Sequence, residues 1–324
     1  MSLISETDKK MLYELGKNAR LSYKELAQKI NSKKTIVSYH FQNLTEQKIF
    51  WKFVPVFSLS RLGIYGYKIY LRFQGLDKQK KQALLEELEN DNYVIWIAES
   101  TGAWDLLIGF YCQNVIEFAA KKNELFHKHG HYIEEYAITL IEDALVFNRD
   151  YLIKHKIDYR KEFIYGGKPH LETIDKDQKD ILRLIRNDGR YQVTDLAKKL
   201  HLNSKTILTK IKDLEQRKII QGYTTFLHIN KLGLKFFKLC LYFQDYQDNK
   251  FQEVLNYCKA QKNIIHIIKS IGTWELELEI EAETVEYIYE LIEEIKTKHP
   301  KIIKKIDITI ITNERKLEFF PEWY

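Results

Sequence analysis

The sequence predicts an α+β chain in which one two-part unit is written twice: a small three-helix domain followed by a split β-α-β domain. Three observations predict it. Residues recur at a constant offset of 170: Arg20 with Arg190, Leu26-Ala27 with Leu196-Ala197, Leu44 with Leu214, Lys48-Ile49 with Lys218-Ile219, and Leu62-Gly63 with Leu232-Gly233. The offset holds further on, where Ser100, Gly102, Trp104 and Asp105 match Ser270, Gly272, Trp274 and Glu275, and Ile138, Leu140 and Ile141 match Ile308, Ile310 and Ile311. Charge alternates in the same order in both halves: +5 over residues 1–57, −4 over 58–145, +3 over 146–169, +4 over 170–228 and −2 over 229–324. Within each half the apolar period changes from that of a helix to that of a strand. A repeat this long lies far beyond solenoid units, and 324 residues exceed one ordinary core.

Because the offset does not slip, each half serves as an alignment of the other. A position kept in both is a requirement of the fold. A position that differs is where the copies do different work.

In the first basic block Met11, Leu12 and Leu15 have helical spacing, and Ser22 with Glu25 three residues later is a capping-box start for a second helix. Val37, Phe41 and Leu44 make the apolar stripe of a third helix. The second copy repeats the pattern with Ile181, Leu182 and Ile185, a start at Gln192 or Thr194, and the stripe Ile207, Ile211 and Leu214. The β-rich stretches 49–57 and 219–227 suit a wing or connecting strand. In the first acidic block strands are expected at 67–73, 94–98, 104–111 and 133–141, with helices at 78–90 and 115–128. This β-α-β-β-α-β order is ferredoxin-like, with helices on one sheet face and the other face in need of cover. The second copy could supply that cover. Residues 146–172 join the halves as a basic, aromatic linker lying on the protein surface, and 313–324 form an aromatic tail that docks.

Composition narrows the function classes. No apolar run reaches membrane-spanning length, and the start lacks a basic-then-apolar signal pattern. Cys112, Cys240 and Cys258 are scattered, which fits a reducing, cytoplasmic setting and no disulfide or zinc site. His127, His129 and His131 alternate, but the second copy has Thr297, His299 and Lys301 there, so a solvated loop is expected in preference to a metal site. No metal and no cofactor are expected. No nucleophile triad, paired acid and base carboxylates or phosphate loop is present, so no enzyme is expected.

The third helix of each basic block carries the chemistry. Off its apolar stripe stand Lys33, Lys34, Thr35, Ser38, Tyr39, Gln42 and Asn43 in the first copy. The second copy has Asn203, Ser204, Lys205, Thr206, Thr209, Lys210, Lys212 and Asp213. Such faces, rich in donors and poor in acid, can meet phosphates and base edges in a major groove, so double-stranded DNA is the expected partner. A solvated helix face is the plainer alternative, though that usually mixes Glu with Lys.

With these parts in place, each half resembles the Lrp/AsnC (feast/famine) family of transcriptional regulators. The resemblance rests on Asp177, Asp180-Ile181-Leu182, Asp188-Gly189-Arg190, Leu196-Ala197, Leu214-Glu215, residues 219–223 (Ile-Ile-Gln-Gly-Tyr) and Leu232-Gly233, with weaker counterparts in the first half. It implies winged helix-turn-helix domains at 1–57 and 173–228 and ferredoxin-like sensing and dimerisation domains at 58–145 and 229–312. It also implies a small-molecule effector such as an amino acid, near the family's Gly-x-x-Asp loop. That loop carries over to Gly102 and Asp105, and to Gly272 and Glu275. Two departures stand out. The family's glycine before the final Ile of the DNA-binding unit is Lys48 and Lys218 here. Family members pair as separate chains, whereas this chain would form an internal pseudo-dimer, one sensor sheet packing on the other, with pairing of two chains as a further option.

Two other functions are weighed. Siroheme decarboxylases also use paired halves of this kind, but their Arg-His pair before the Leu-Gly motif is missing, and only His228 lies nearby. A sequence-tolerant architectural protein would use the same basic faces. Trp104 and Trp274 read as core residues. Glu275, Glu277, Glu279 and Glu281 alternate with apolar residues where the first copy has Asp105, Leu107, Gly109 and Tyr111; a solvent-facing acidic sheet face is the expected reading.

Overall fold

The computed structural model describes residues 4–154, 160, 162–168, 170–244 and 248–324. In chain order the first half gives α1 (Glu6–Lys17), α2 (Tyr23–Lys29), α3 (Lys34–Glu46), β1 (Phe50–Phe57), β2 (Tyr65–Phe73), α4 (Lys78–Asn90), β3 (Val94–Gly102), β4 (Leu106–Cys112), α5 (Val115–His129) and β5 (Ile133–Phe147). After β6 (Glu162–Gly166) the second half gives α6 (Lys176–Ile185), α7 (Val193–Leu200), α8 (Ser204–Gln216), β7 (Ile220–Leu227), β8 (Lys235–Phe243), α9 (Asp248–Ala260), β9 (Ile264–Gly272), β10 (Leu276–Ala282), α10 (Val285–Lys298) and β11 (Ile303–Leu317). The elements gather by type into two compact units. One holds residues 1–58, 146–164 and 173–234; the other holds 59–145, 165–172 and 235–324.

In the first unit the helices start where their caps dictate. Ser5 with Asp8, Ser22 with Glu25, and Asp175 with Gln178 each form a reciprocal capping box. The start of α7 at Gln192 has no side-chain cap. Met11, Leu12, Leu15, Leu26, Val37 and Leu44 form a core that also takes in Leu227, Leu232 and Leu234 from the second half. The reason is β1 and β7. They do not fold back as separate wings but pair with each other antiparallel, Phe53 opposite Thr225 and Val54 opposite Thr224. The two three-helix domains are therefore stitched together. The Ala19 amide donates to the Tyr223 carbonyl (3.0 Å), and at the mirrored position the Gly189 amide donates to the Phe53 carbonyl (2.6 Å). Arg190 crosses to the first copy, donating to the Ala19 and Leu21 carbonyls and lying over Phe41 and Phe53. Arg20 crosses the other way, onto the ring and hydroxyl of Tyr223. Conservation of this arginine between the repeats thus reflects assembly of the pair.

In the second unit each repeat has the ferredoxin-like strand order, β5-β2-β4-β3 and β11-β8-β10-β9. The expectation of one sheet packed on the other is incomplete. The sheets also join at both edges, β3 with β11 and β9 with β5, so eight strands form one closed ring, with β6 added on β5. Closure removes the exposed sheet edges that would otherwise template aggregation. One core lies between the first sheet and its helices (Ile69, Leu71, Leu84, Leu88, Ile108, Phe118). Another lies inside the ring and takes residues from both repeats: Tyr70, Trp96, Trp104 and Leu107 with Cys240, Trp274 and Ile311. The tail docks, with Phe320 fully buried and Trp323 stacked on Tyr93 at 5.3 Å.

Linker residues 148–152 fold onto the first unit, where Asn148 donates to the Tyr13 carbonyl and Arg149 to the Thr225 carbonyl. His127 and His129 end α5, and His131 follows in a short 3-10 turn; His129 contacts Glu87 and the His131 ring lies against Tyr132.

Candidate nucleic-acid interface

Helices α3 and α8 present the faces expected from their sequences. On α3, Lys33, Lys34, Thr35, Tyr39 and Gln42 are exposed, while Ser38 and Asn43 are half-buried. Tyr39 is 64% exposed, far more than a packing tyrosine tolerates. Lys33 is the N-cap of α3 and supplies no side-chain cap to the first amides of the helix. Gln42 is partly engaged, donating to Glu46 at 2.8 Å.

On α8 the predicted residues divide into two groups. Ser204, Lys205, Thr209 and Lys212 are exposed. Asn203 is consumed as the N-cap, accepting from the Thr206 amide (2.7 Å) and the Thr206 hydroxyl (3.0 Å). Lys210 is half-buried and paired with Asp175 (2.7 Å) and Asp177 (3.1 Å) at the start of α6. Its charge is therefore spent within the protein. The acid beside it, Asp213, is likewise spent on Gln178 and Arg217. Among the described residues, the cations of this face that hold no ion pair are Lys205 and Lys212, matching Lys33 and Lys34 in number but not in position.

Both helices end alike. Lys48 and Lys218 adopt left-handed φ of 54° and 58°. In each case the next amide reaches back to a helix carbonyl, Ile49 to Leu44 (2.9 Å) and Ile219 to Leu214 (3.0 Å). That is the closure a glycine usually serves. The turn keeps its geometry without glycine and bears the strain.

The loops predicted to meet an effector have structural work to do. Gly102 and Gly272 have φ of 111° and 145° and sit where the repeats' edges join. A Cβ on Gly102 would lie 2.6 Å from the Ile308 carbonyl oxygen, and one on Gly272 would lie closer still to that of Ile138. Asp105 accepts from the Phe73 amide and Glu275 from the Phe243 amide, both at 2.9 Å. Trp104 and Trp274 are buried, as core residues.

The acidic face of β10 corrects the sequence reading. It does not face solvent: Glu277 and Glu281 are almost wholly buried and Glu279 is 8% exposed. Ring closure turns this face inward, where Glu277 meets Lys68 (2.6 Å) and Lys238 (2.8 Å). Its other oxygen accepts from Trp274 (3.0 Å), Thr139 and Ser270 (both 3.3 Å). Glu279 meets Lys238 (2.7 Å) and His266. Burial pushes the Glu277 carboxyl up, but Lys238 and Lys68 outweigh it and hold the group far below the usual carboxylate range. Burial likewise pushes Lys238 down, and the two glutamates overcome that and raise it. For Lys68 burial prevails, and it sits below an ordinary lysine. The signal was present in the sequence: Lys68 and Lys238 stand at the repeat offset, each flanked by apolar or aromatic residues in the interior of its strand.

A family model described as winged helix-turn-helix DNA-binding matches residues 4–49 and 174–221. The HTH-type transcriptional regulator LrpA of Pyrococcus horikoshii is 38% identical over 60 residues, 18% of this chain and 43% of LrpA's own length. An HTH-type transcriptional regulator of Pyrococcus furiosus is 30% identical over 106 residues, covering 33% of this chain and 70% of that protein. Among solved structures, the siroheme decarboxylase NirDL aligns over 97% of this chain and 93% of its own, with a TM-score of 0.63 and 16% identity. That likeness concerns the fold, yet it overturns the expectation of no enzyme. The same end-to-end arrangement houses a decarboxylase, so neither the fold nor the lack of familiar motifs is a ground for excluding catalysis. His228, the lone residue near the decarboxylase pattern, stacks on Trp51. Among the described residues no helix is long and apolar enough to cross a membrane.

Proposed function

Since the chain belongs to the Lrp/AsnC family of DNA-binding transcriptional regulators, with two copies fused in tandem, we propose that it reads a DNA site with two unlike halves. The observation that carries this reading is the pair of exposed, basic recognition faces on α3 and α8, joined through the β1–β7 ribbon and different in side chain. Gln42 and Asn43 suit adenine edges, while Lys205 and Lys212 suit guanine or phosphate. A homodimer with identical helices selects a palindrome; one chain of this kind selects an asymmetric site. The DNA contacts proposed are Lys33, Lys34, Thr35, Ser38, Tyr39, Gln42 and Asn43 on the first copy and Ser204, Lys205, Thr209 and Lys212 on the second. An amino-acid effector would approach the solvent side of the Gly102 and Gly272 loops.

Selection of bound sequences from random duplex DNA tests the reading. An asymmetric motif is expected, losing one half when Lys34 is mutated and the other when Lys205 is. A short perfect palindrome bound by a single chain would refute it. Steep salt dependence with no motif would indicate an architectural role instead.

A second reading, a tetrapyrrole-acting enzyme, is favoured by the end-to-end fold likeness to NirDL. Titration with a siroheme-type macrocycle decides it. A Soret shift at stoichiometric ligand, together with no duplex binding at low salt, would favour the enzyme.

A further inference from the structure

We infer that the two sensor repeats are a matched pair: the inner face of the first accepts that of the second and rejects a copy of itself, with Glu277 as the deciding residue. The two faces have the same backbone register. Lys68 stands opposite Thr139 as Lys238 stands opposite Thr309, and Tyr70 opposite Leu107 as Cys240 opposite Glu277. Each face supplies one buried lysine, but the carboxylates come from the second repeat alone, since Leu107 and Gly109 occupy the positions of Glu277 and Glu279.

Pairing within the chain sets two lysines against Glu277 and Glu279, and every one of these charges has a partner at 2.6–2.8 Å. Two first repeats would bury two copies of Lys68 with no carboxylate between them. Two second repeats would bury two copies each of Glu277 and Glu279 against two of Lys238, with His266 beside each Glu279, and each Glu277 would lose the Lys68 that it meets within the chain. Each like pairing leaves charge buried without a counter-charge, the arrangement that low-dielectric interiors tolerate least. A sensor face therefore has one class of partner, the opposite repeat of its own chain or of a second copy.

The unpartnered groups agree. Trp274 Nε1 and Thr139 Oγ1 both donate to Glu277. Their mirrored counterparts, Trp104 Nε1 and Thr309 Oγ1, are buried without a hydrogen-bond partner, because Leu107 stands where their acceptor would be. The mirrored carboxylate position thus has its donors in place and no acid.

Full-length variants test this. Glu277→Leu is expected to lower the urea midpoint by about 1 M or more. Leu107→Glu combined with Glu277→Leu moves the acid across the pseudo-dyad, within reach of the same lysines and of the unpartnered Trp104 and Thr309, and should recover more than half of the loss. An unchanged midpoint in the single variant, or no recovery in the double, overturns the inference. Partner choice is read by inserting a protease site between residues 154 and 160, cutting the folded chain, and exchanging it with isotope-labelled cut chain before native mass spectrometry, in the wild type and in Glu277→Leu. The variant is needed because the β1–β7 ribbon also joins unlike halves, and the share of like pairs must rise in it if Glu277 decides. First-with-second pairs are expected; like pairs in comparable amount would refute it.

Discussion

On β4 the first sensor repeat carries Leu107 and Gly109; on β10, in the same register against the neighbouring strand, the second carries Glu277 and Glu279. The two DNA-binding domains differ in another way. Both recognition helices are basic, and what changes between them is which polar side chains stand exposed. Divergence inside the ring alters charge, and Lys68, with Leu107 and Gly109 in the acid positions of its own repeat, is answered by Glu277 of the other. On the helices it alters hydrogen-bonding pattern and leaves the attraction for a polyanion intact. Duplication within one chain permits both, because neither face has to match a copy of itself.

The comparison breaks hardest at the lysines. Lys238 touches both buried glutamates and Lys68 only one. Lys238→Met should therefore cost about 3–5 kcal/mol, the range for leaving a buried charge without its partner. Lys68→Met should cost clearly less, because burial already disfavours its charge. Denaturant unfolding of both variants checks the order. Equal losses would mean that the mirrored lysines are equivalent and that the asymmetry of the acids has no energetic consequence.

The seam glycines come next. Gly272 and Gly102 both have positive φ, and an added Cβ at either meets a carbonyl oxygen of the other repeat, more closely at Gly272. Gly272→Ala should destabilise by about 2–3 kcal/mol and Gly102→Ala by somewhat less, from overpacking against rigid backbone plus left-handed strain. Thermal unfolding measures both. If loop function and not edge closure were the reason for these glycines, the substitutions would leave the unfolding midpoint in place.

A smaller effect separates the cations of α8. Lys205→Ala should lower the salt slope of DNA binding by about one and weaken affinity, as loss of one phosphate contact does. Lys210→Ala should leave the slope nearly unchanged, since Asp175 and Asp177 already neutralise that side chain. Fluorescence anisotropy across a salt series reads both. Equal slopes for the two variants would mean that DNA draws Lys210 away from its carboxylates.

Much of this was legible in the sequence, for physical reasons. Local signals located the helices: the Ser22 and Glu25 box, the Val37-Phe41-Leu44 stripe and the glycine turn before Trp104 all act within a few residues. The pairing of β1 with β7 and the closing of the ring were not legible, because hydrogen bonding between distant strand edges leaves no periodic trace. The acidic row of β10 misled for the same reason. Alternation shows that a strand has two different faces, but only closure decides that the charged face is the inner one. Asn203, Thr206 and Lys210 read as DNA contacts from composition, which does not show that a side chain also holds a cap or an ion pair within the protein.

The smallest test concerns what the repeats share. Lys48 and Lys218 close α3 and α8 in left-handed backbone that costs a non-glycine residue about 1–2 kcal/mol. Glycine removes that strain but gives back part of the gain through the greater freedom of the unfolded chain. Lys48→Gly and Lys218→Gly should each stabilise by about 0.5 kcal/mol in denaturant unfolding. Both lysines are also exposed just beyond the recognition helices. If they are kept for DNA, each glycine variant will bind duplex more weakly, with a shallower salt slope, while unfolding at higher denaturant. A gain in stability with unchanged binding would instead mean that the family's glycine was lost from both copies without a functional return.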